Sequence, residues 1–174
     1  MSGMRSLLFV PGHDQRKLEI ALAAGADALI LDLEDSVAAD DKALARRTCL
    51  EFLRRAKQST KRPVFYVRIN ALDNLLSDSD LDSVMTAGPD GIVLPKSQSG
   101  ADVTLLDARI AVREALHDID DGSTRIIAIA TETAASIFGL GSYAGSCPRL
   151  VGLTWGGEDL AADIGAGGNK DQAG

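Results

Sequence analysis

Six short apolar runs recur along the chain, at residues 6–10, 28–31, 64–67, 91–94, 125–129 and 150–154. They are continuous rather than alternating, the pattern of strands covered on both faces, which is characteristic of parallel sheets. Between them, residues 16–24, 40–57, 78–86 and 105–116 carry apolar side chains at helical spacing, and Gly25, Gly88 and Gly122 supply breaks after helical segments. This βα alternation predicts an α/β fold built on a parallel sheet or barrel. No long linker, low-complexity tract or close repeat interrupts it, so the reading is one domain over residues 1–174, with a Gly-rich, polar and loose tail from 165 to 174.

Composition narrows the function classes. The 174 residues are 45% hydrophobic and 25% charged, a balance that suits one globular domain and argues against disorder. With 25 Asp and Glu against 18 Lys and Arg, the net charge of −7 speaks against a broad nucleic-acid footprint. No run approaches the roughly 18 apolar residues of a membrane span, and the N-terminus lacks the pattern of a secretory signal. The expectation is a cytoplasmic protein with neither a nucleic-acid nor a membrane partner. Cys49 and Cys147 have neither CxxC spacing nor an adjacent histidine, and are read as two reduced, partly buried thiols.

At the end of nearly every apolar run the sequence turns polar. The ends carry Pro11-Gly12-His13-Asp14, then Asp32, Glu34 and Asp35, then Arg68 and Asn70, Pro95-Lys96-Ser97, Thr131-Glu132-Thr133, and Gly156-Gly157-Glu158-Asp159. In a (β/α) barrel these ends share one rim, where active sites are built. Any one of them taken alone reads more readily as a solvated strand end, a reading that six such ends together weaken considerably.

Glu132 and Asp159 are spaced by about one αβ unit, which sets two carboxylates at neighbouring strand ends. Such a pair suits a hard divalent ion, Mg²⁺ with Mn²⁺ as the alternative, while zinc lacks its usual His or Cys partners here. The competing reading is that both carboxylates cap the helices that follow. Arg68 offers a planar fork for a substrate carboxylate, or else pairs with Asp32, Glu34 and Asp35. That acidic cluster must face Arg68, Lys96, a metal shell or water. The turn from Pro11 and Gly12 into a helix carrying Arg16 and Lys17 could hold a phosphate-bearing ligand, although two exposed cations are as often a solvated helix face. His13 reads equally as a catalyst or as a residue at the helix start.

Taken together, Leu8-Phe9-Val10-Pro11-Gly12, Leu31-Asp32-Leu33-Glu34-Asp35-Ser36-Val37, Val67-Arg68-Ile69-Asn70, Leu94-Pro95-Lys96, Thr131-Glu132-Thr133-Ala134 and Trp155-Gly156-Gly157-Glu158-Asp159-Leu160 resemble the citrate lyase beta subunit and malyl-CoA lyase family. The order and spacing agree from residue 5 to about residue 165. The resemblance implies a TIM (β/α)8-type barrel and a Mg²⁺-dependent lyase or aldolase that makes or breaks a carbon–carbon bond beside a CoA thioester such as citryl-, citramalyl- or malyl-CoA. It implies Glu132 and Asp159 as metal ligands and Arg68 as the holder of the substrate's oxygens. It also sets Pro11, Gly12, Arg16 and Lys17 near the CoA, with Glu34, Asp35 and Lys96 lining the pocket, and Arg68, Glu34 and Asp35 as the catalytic set.

A closed barrel of this type needs eight strands and typically about 250 residues, whereas six are legible here. The family's last two βα units, and a C-terminal region that in some members brings a catalytic acid from a neighbouring subunit, have no counterpart, so the barrel is expected to be incomplete. Three readings follow: a fragment, a chain completed by a partner or by self-association (a homo-oligomer, a trimer among the options), or an inactive relict. Three activities stay open beside them. These are the CoA-thioester lyase, a non-catalytic or partner-completed subunit that keeps the metal and acyl pocket, and a metal-dependent aldolase on free 2-oxo acids; the small-molecule partner is accordingly an acyl-CoA or a 2-hydroxy or 2-oxo acid.

Overall fold

The computed structural model describes residues 3–168. Six strands, β1 (Leu7–Pro11), β2 (Ala28–Asp32), β3 (Val64–Arg68), β4 (Gly91–Leu94), β5 (Arg125–Ile129) and β6 (Leu150–Thr154), form one sheet in chain order. Every neighbouring pair is parallel. Helices α1 (Gln15–Leu22), α2 (Lys42–Ala56), α3 (Leu76–Val84), α4 (Gly100–Leu116), α5 (Ala134–Gly139) and α6 (Gly157–Asp163) follow the strands one by one. The strands lie within a residue of the positions expected from the apolar runs.

The period of two along each strand divides the side chains between two faces. Leu29, Leu31, Phe65, Val67, Ile92, Leu94, Ile126 and Ala128 point to one face and join Leu18, Phe52, Leu53, Leu81, Leu106 and Ile110 of the helices in the larger core. There the Phe52 and Phe65 rings meet edge to face at 5.7 Å between centroids. Ala28, Ile30, Tyr66, Val93, Ile127 and Ile129 form a smaller cluster on the opposite face, to which no helix contributes. Helices outside and strand side chains alone inside make the TIM-barrel arrangement, here as an open arc of six βα units.

Helix ends refine the sequence reading. α4 begins at Gly100, five residues before the apolar spacing becomes regular, because Ser99 and Asp102 close a capping box at its N-terminus. Gly100 is required there, since a Cβ would stand 2.2 Å from the Ser142 carbonyl oxygen. α5 and α6 are too short for their periodicity to register, and Thr133 marks the start of α5 by accepting a hydrogen bond from Ser136 N. Cys49 is buried, Cys147 half-buried, and both are free thiols. Of the 165–174 tail, residues 169–174 lie outside the described residues.

β1 and β6 are the two ends of the arc, and each carries apolar side chains that nothing covers. Phe9 is 45% exposed and Leu153 47%, with Leu7, Leu8 and Val151 similar and Trp155 beyond them at 68%. Unpaired strand edges beside uncovered apolar surface favour association. The purified 174-residue chain is therefore expected to self-associate or to bind the dye ANS strongly. Light scattering with ANS fluorescence checks this, and a monomer that leaves ANS dark would contradict it.

Candidate active site

The parallel register brings the strand ends together. Pro11 lies opposite Asp32, Asp32 opposite Arg68, and Arg68 opposite Val93. The first consequence is a two-toothed ion pair: Arg68 donates from Nε to Asp32 Oδ1 and from Nη2 to Asp32 Oδ2, each at 2.7 Å. Asp32 is 1% exposed, and its oxygens also accept from the backbone N–H groups of Glu34 (2.9 Å) and Ser36 (3.2 Å). Burial opposes ionisation of Asp32, but the guanidinium outweighs it and holds the carboxyl below its usual range. Because the fork occupies one edge of the guanidinium, the remaining Nη hydrogens face away from Asp32. The Phe9 ring stacks against the guanidinium at 5.0 Å.

Beyond the fork stand Glu34 and Asp35. Arg68 Nη1 lies 3.0 Å from Glu34 Oε2 and 3.7 Å from Asp35 Oδ2. Lys96 Nζ completes the group, donating to Glu34 Oε1 and, at 3.2 Å, to Asp35 Oδ1. Burial pushes the Glu34 carboxyl up despite both cations, while Asp35 is exposed. Two cations thus serve three carboxylates on one rim.

Glu132 closes the row. It is 3% exposed, and its Oε2 accepts a hydrogen bond from the backbone N–H of Lys96. Burial, followed by the negative charges of Glu34 and Asp159, pushes its carboxyl up to about 7, although the Lys96 N–H pulls the other way. Asp159 sits in the first turn of α6, half-buried. Helix capping is excluded for both residues: Thr133 caps α5, and the N-cap of α6 is Gly156, with no side-chain bond. Gly156 is dictated by Glu132, because a Cβ there would meet the Glu132 Cγ at 2.2 Å. Gly12 is dictated in the same way by Asp32, whose carbonyl oxygen would lie 2.6 Å from an added Cβ.

Behind the rim a second polar cluster holds the loop that carries Glu34. Lys42 Nζ donates to the carbonyl oxygens of Leu33 and Glu34, both at 2.7 Å, and to Asn70 Oδ1 at 2.9 Å. Asn70 Nδ2 donates to Leu33 O at 3.1 Å and to Asp80 Oδ2 at 2.6 Å. Asp80, fully buried, also accepts from Asn70 N at 2.8 Å and Arg46 Nε at 2.7 Å. The buried Asp80 carboxylate is matched by Arg46, as burial requires, while the half-buried Lys42 ammonium is satisfied by neutral oxygens.

With this geometry in place the comparisons are decisive. The profile of the HpcH/HpaI aldolase/citrate lyase family matches residues 5–173. The chain belongs to that family. It is 34% identical over 160 residues to the citrate lyase subunit beta of Escherichia coli (strain K12), covering 92% of this chain and 52% of the relative. It is also 34% identical, over 162 residues, to a (3S)-malyl-CoA thioesterase of Cereibacter sphaeroides (strain KD131), covering 93% of this chain and 52% of that one. Among solved structures, the CitE protein of Mycobacterium tuberculosis, in complex with magnesium and acetoacetate, superposes with a TM-score of 0.76 at 30% identity, over 100% of this chain and 64% of CitE. The chain spans about half the length of the two sequence relatives.

Of the residues singled out from the sequence, Asp32, Glu34, Asp35, Arg68, Lys96 and Glu132 form one connected row, and Asp159 acts on Glu132 through its charge. Pro11 and Gly12 adjoin it through Asp32. Arg16 and Lys17 stand exposed on α1 outside the ion-pair row, Lys17 paired locally with Asp14 at 3.6 Å. His13 takes no part: Asp14 caps α1, by accepting from Lys17 N at 3.0 Å. Phe9, Lys42 and Asp80 escape the sequence reading. Lys42 and Asp80 lie on helices, where a charged residue reads as solvated face, and only the fold shows that they turn inward.

Asp80→Ala would strand Arg46 and the Asn70 amide beside a buried hole. A loss of about 2–4 kcal/mol in unfolding free energy is expected, read by urea denaturation. A variant within 0.5 kcal/mol or so of the parent, the scale of a neutral surface change, would show that this cluster does not hold the loop.

Proposed function

We propose that this chain carries the reaction face of a Mg²⁺-dependent carbon–carbon lyase or aldolase that cleaves or forms a hydroxyacyl-CoA thioester of the citryl-, citramalyl- or malyl-CoA kind, with residues 1–174 as one partial-barrel domain. The observation that carries the reading is the juxtaposition of the Asp32-clamped Arg68 with buried Glu132 on one rim. Family membership supports the class of reaction. The relatives' names, a citrate lyase subunit and a malyl-CoA thioesterase, supply the substrate class.

The residues fit a divalent ion. Glu132 is a buried carboxylate under the field of two others, Glu34 and Asp159, so a cation there would relieve like-charge repulsion. Among the described residues no group of three or more His, Cys, Asp and Glu gathers into an all-protein cage. Magnesium asks for less, typically one or two carboxylates, leaving other positions to water and substrate oxygens. Glu132 and Asp159 would hold it; Mn²⁺ has the same preferences. When bound, such a cation stabilises negative charge that develops on a substrate oxygen during C–C cleavage.

The chain's own side chains supply orientation and proton control. The Nη hydrogens of Arg68 that Asp32 does not engage take the substrate carboxylate, which displaces Glu34 Oε2 from Nη1, and Asp32 and Phe9 fix the plane in which they point. Lys96 keeps Glu34 and Asp35 from repelling one another. Glu34 is the proton-exchanging carboxyl of this reading: burial pushes it above its ordinary value, with Oε1 held by Lys96 and Oε2 beside Arg68. Pro11, Gly12, Arg16 and Lys17 line the approach for the CoA portion.

A second reading, a subunit completed by a partner or by further copies, is favoured by the uncovered apolar edges at β1 and β6. Cleavage of malyl-CoA or citryl-CoA by the purified chain, with and without Mg²⁺, separates it from the first.

The metal assignment has a test of its own. Titration calorimetry should show Mg²⁺ binding to the parent and none to Glu132→Ala or Asp159→Ala, with circular dichroism unchanged. Parent-like binding by both variants would overturn the assignment.

A further inference from the structure

Lys96 has a backbone that most residues avoid. Its φ is +52°, and Asp118 is the one other described non-glycine residue with a positive φ. In this left-handed region glycine is at ease, while a lysine is strained. Strain of this kind persists where the surroundings over-determine it, and it clusters at working sites. Two sets of contacts over-determine it here. The backbone N–H of Lys96 points at Glu132 Oε2. The side chain turns to Glu34 Oε1 and Asp35 Oδ1.

In an extended or right-handed conformation at residue 96 the N–H and the side chain would be directed differently, and one set of contacts would be lost. Glycine would satisfy the backbone but could not reach Glu34 and Asp35. A β-branched residue would satisfy neither requirement. Pro95 before it is buried and Ser97 after it is also buried, with Ser97 held by Tyr143, whose hydroxyl lies 2.9 Å from Ser97 Oγ and donates to Ser97 O at 3.0 Å. The turn is therefore pinned on its C-terminal side.

We propose that Lys96 is a positioning residue with two separable jobs: its left-handed backbone aims an N–H that fixes one oxygen of Glu132 and so presents the other for metal binding, while its ammonium holds Glu34 and Asp35 in place. This rests on the reading of Glu132 as a metal ligand. The two are distinguishable, because the proposal concerns only how residue 96 changes an affinity that the metal reading requires to exist.

The test compares two neutral substitutions that differ in backbone preference. Lys96→Gly keeps the left-handed turn and removes the ammonium. Lys96→Val removes the ammonium equally and disfavours the turn. Mg²⁺ affinity is measured calorimetrically on both, on the parent and on Glu132→Ala. Losing a nearby positive charge should leave Lys96→Gly binding Mg²⁺ at least as tightly as the parent. Lys96→Val should bind at least about fivefold more weakly than Lys96→Gly, the lower end of the cost of such a backbone. Equal affinity in the two variants overturns the backbone role. A Lys96→Gly affinity well below the parent's overturns the separation of the two jobs. If Glu132→Ala binds like the parent, it is the metal reading that fails. Should Lys96→Val not fold, Lys96→Ala, which also disfavours the left-handed region, enters the same comparison.

Discussion

The bidentate pair between Arg68 and Asp32 is the contact on which the rim depends. A guanidinium is costly to bury unless its charge and its N–H groups are matched, and a carboxylate likewise. Asp32 matches Arg68 through both oxygens, and the turn at Glu34 and Ser36 satisfies Asp32 in return. That mutual requirement fixes the end of β2 against the end of β3. It also fixes the direction of the remaining arginine hydrogens, which face Glu34 and which the proposed function assigns to a substrate carboxylate. Glu34, Asp35 and Lys96 are then placed by Arg68, and Glu132 by Lys96. Positions 32, 68, 96 and 132 thus form a relay across four adjacent strand ends.

This relay needs a scaffold stiff enough to hold charges within hydrogen-bond distance of each other. The outer core supplies it, because the aliphatic side chains of β2 to β5 are fully enclosed between sheet and helices. The support weakens toward the ends of the arc, where β1 and β6 carry exposed apolar residues. Phe9 on β1 packs on Arg68, and Asp159 follows β6. Two parts of the site therefore lean on the least buttressed strands. Covering those edges would steady the aromatic face beneath Arg68 and the second carboxylate of the proposed metal pair.

The strands were legible because a buried parallel strand is an unbroken apolar run, and each run sits within a residue of its strand. The rim was legible because the residues that end those runs change abruptly from Val and Leu to Asp, Glu, Arg and Lys. That the acidic cluster would face Arg68 and Lys96 was legible from the cost of an unpaired buried charge, but which carboxylate takes which cation was not. That Arg68 prefers Asp32 by a two-pronged contact follows from parallel register, which no local pattern encodes. Lys42 and Asp80 were hidden for the same reason, since their partners lie 28 and 10 residues away. The left-handed backbone at Lys96 was invisible too, because the sequence places no glycine there to announce it.

The central claim is that Arg68, held by Asp32, presents a planar pair of donors to a substrate carboxylate. Arg68→Lys tests it most directly, since an ammonium keeps the charge and loses the plane. Binding of a 2-oxo acid such as oxaloacetate, followed by calorimetry in saturating Mg²⁺, should weaken about tenfold or more in the variant, the scale of a lost charge-assisted hydrogen bond. Unchanged affinity in a folded Arg68→Lys variant would contradict the account and leave Arg68 as a structural partner of Asp32 alone.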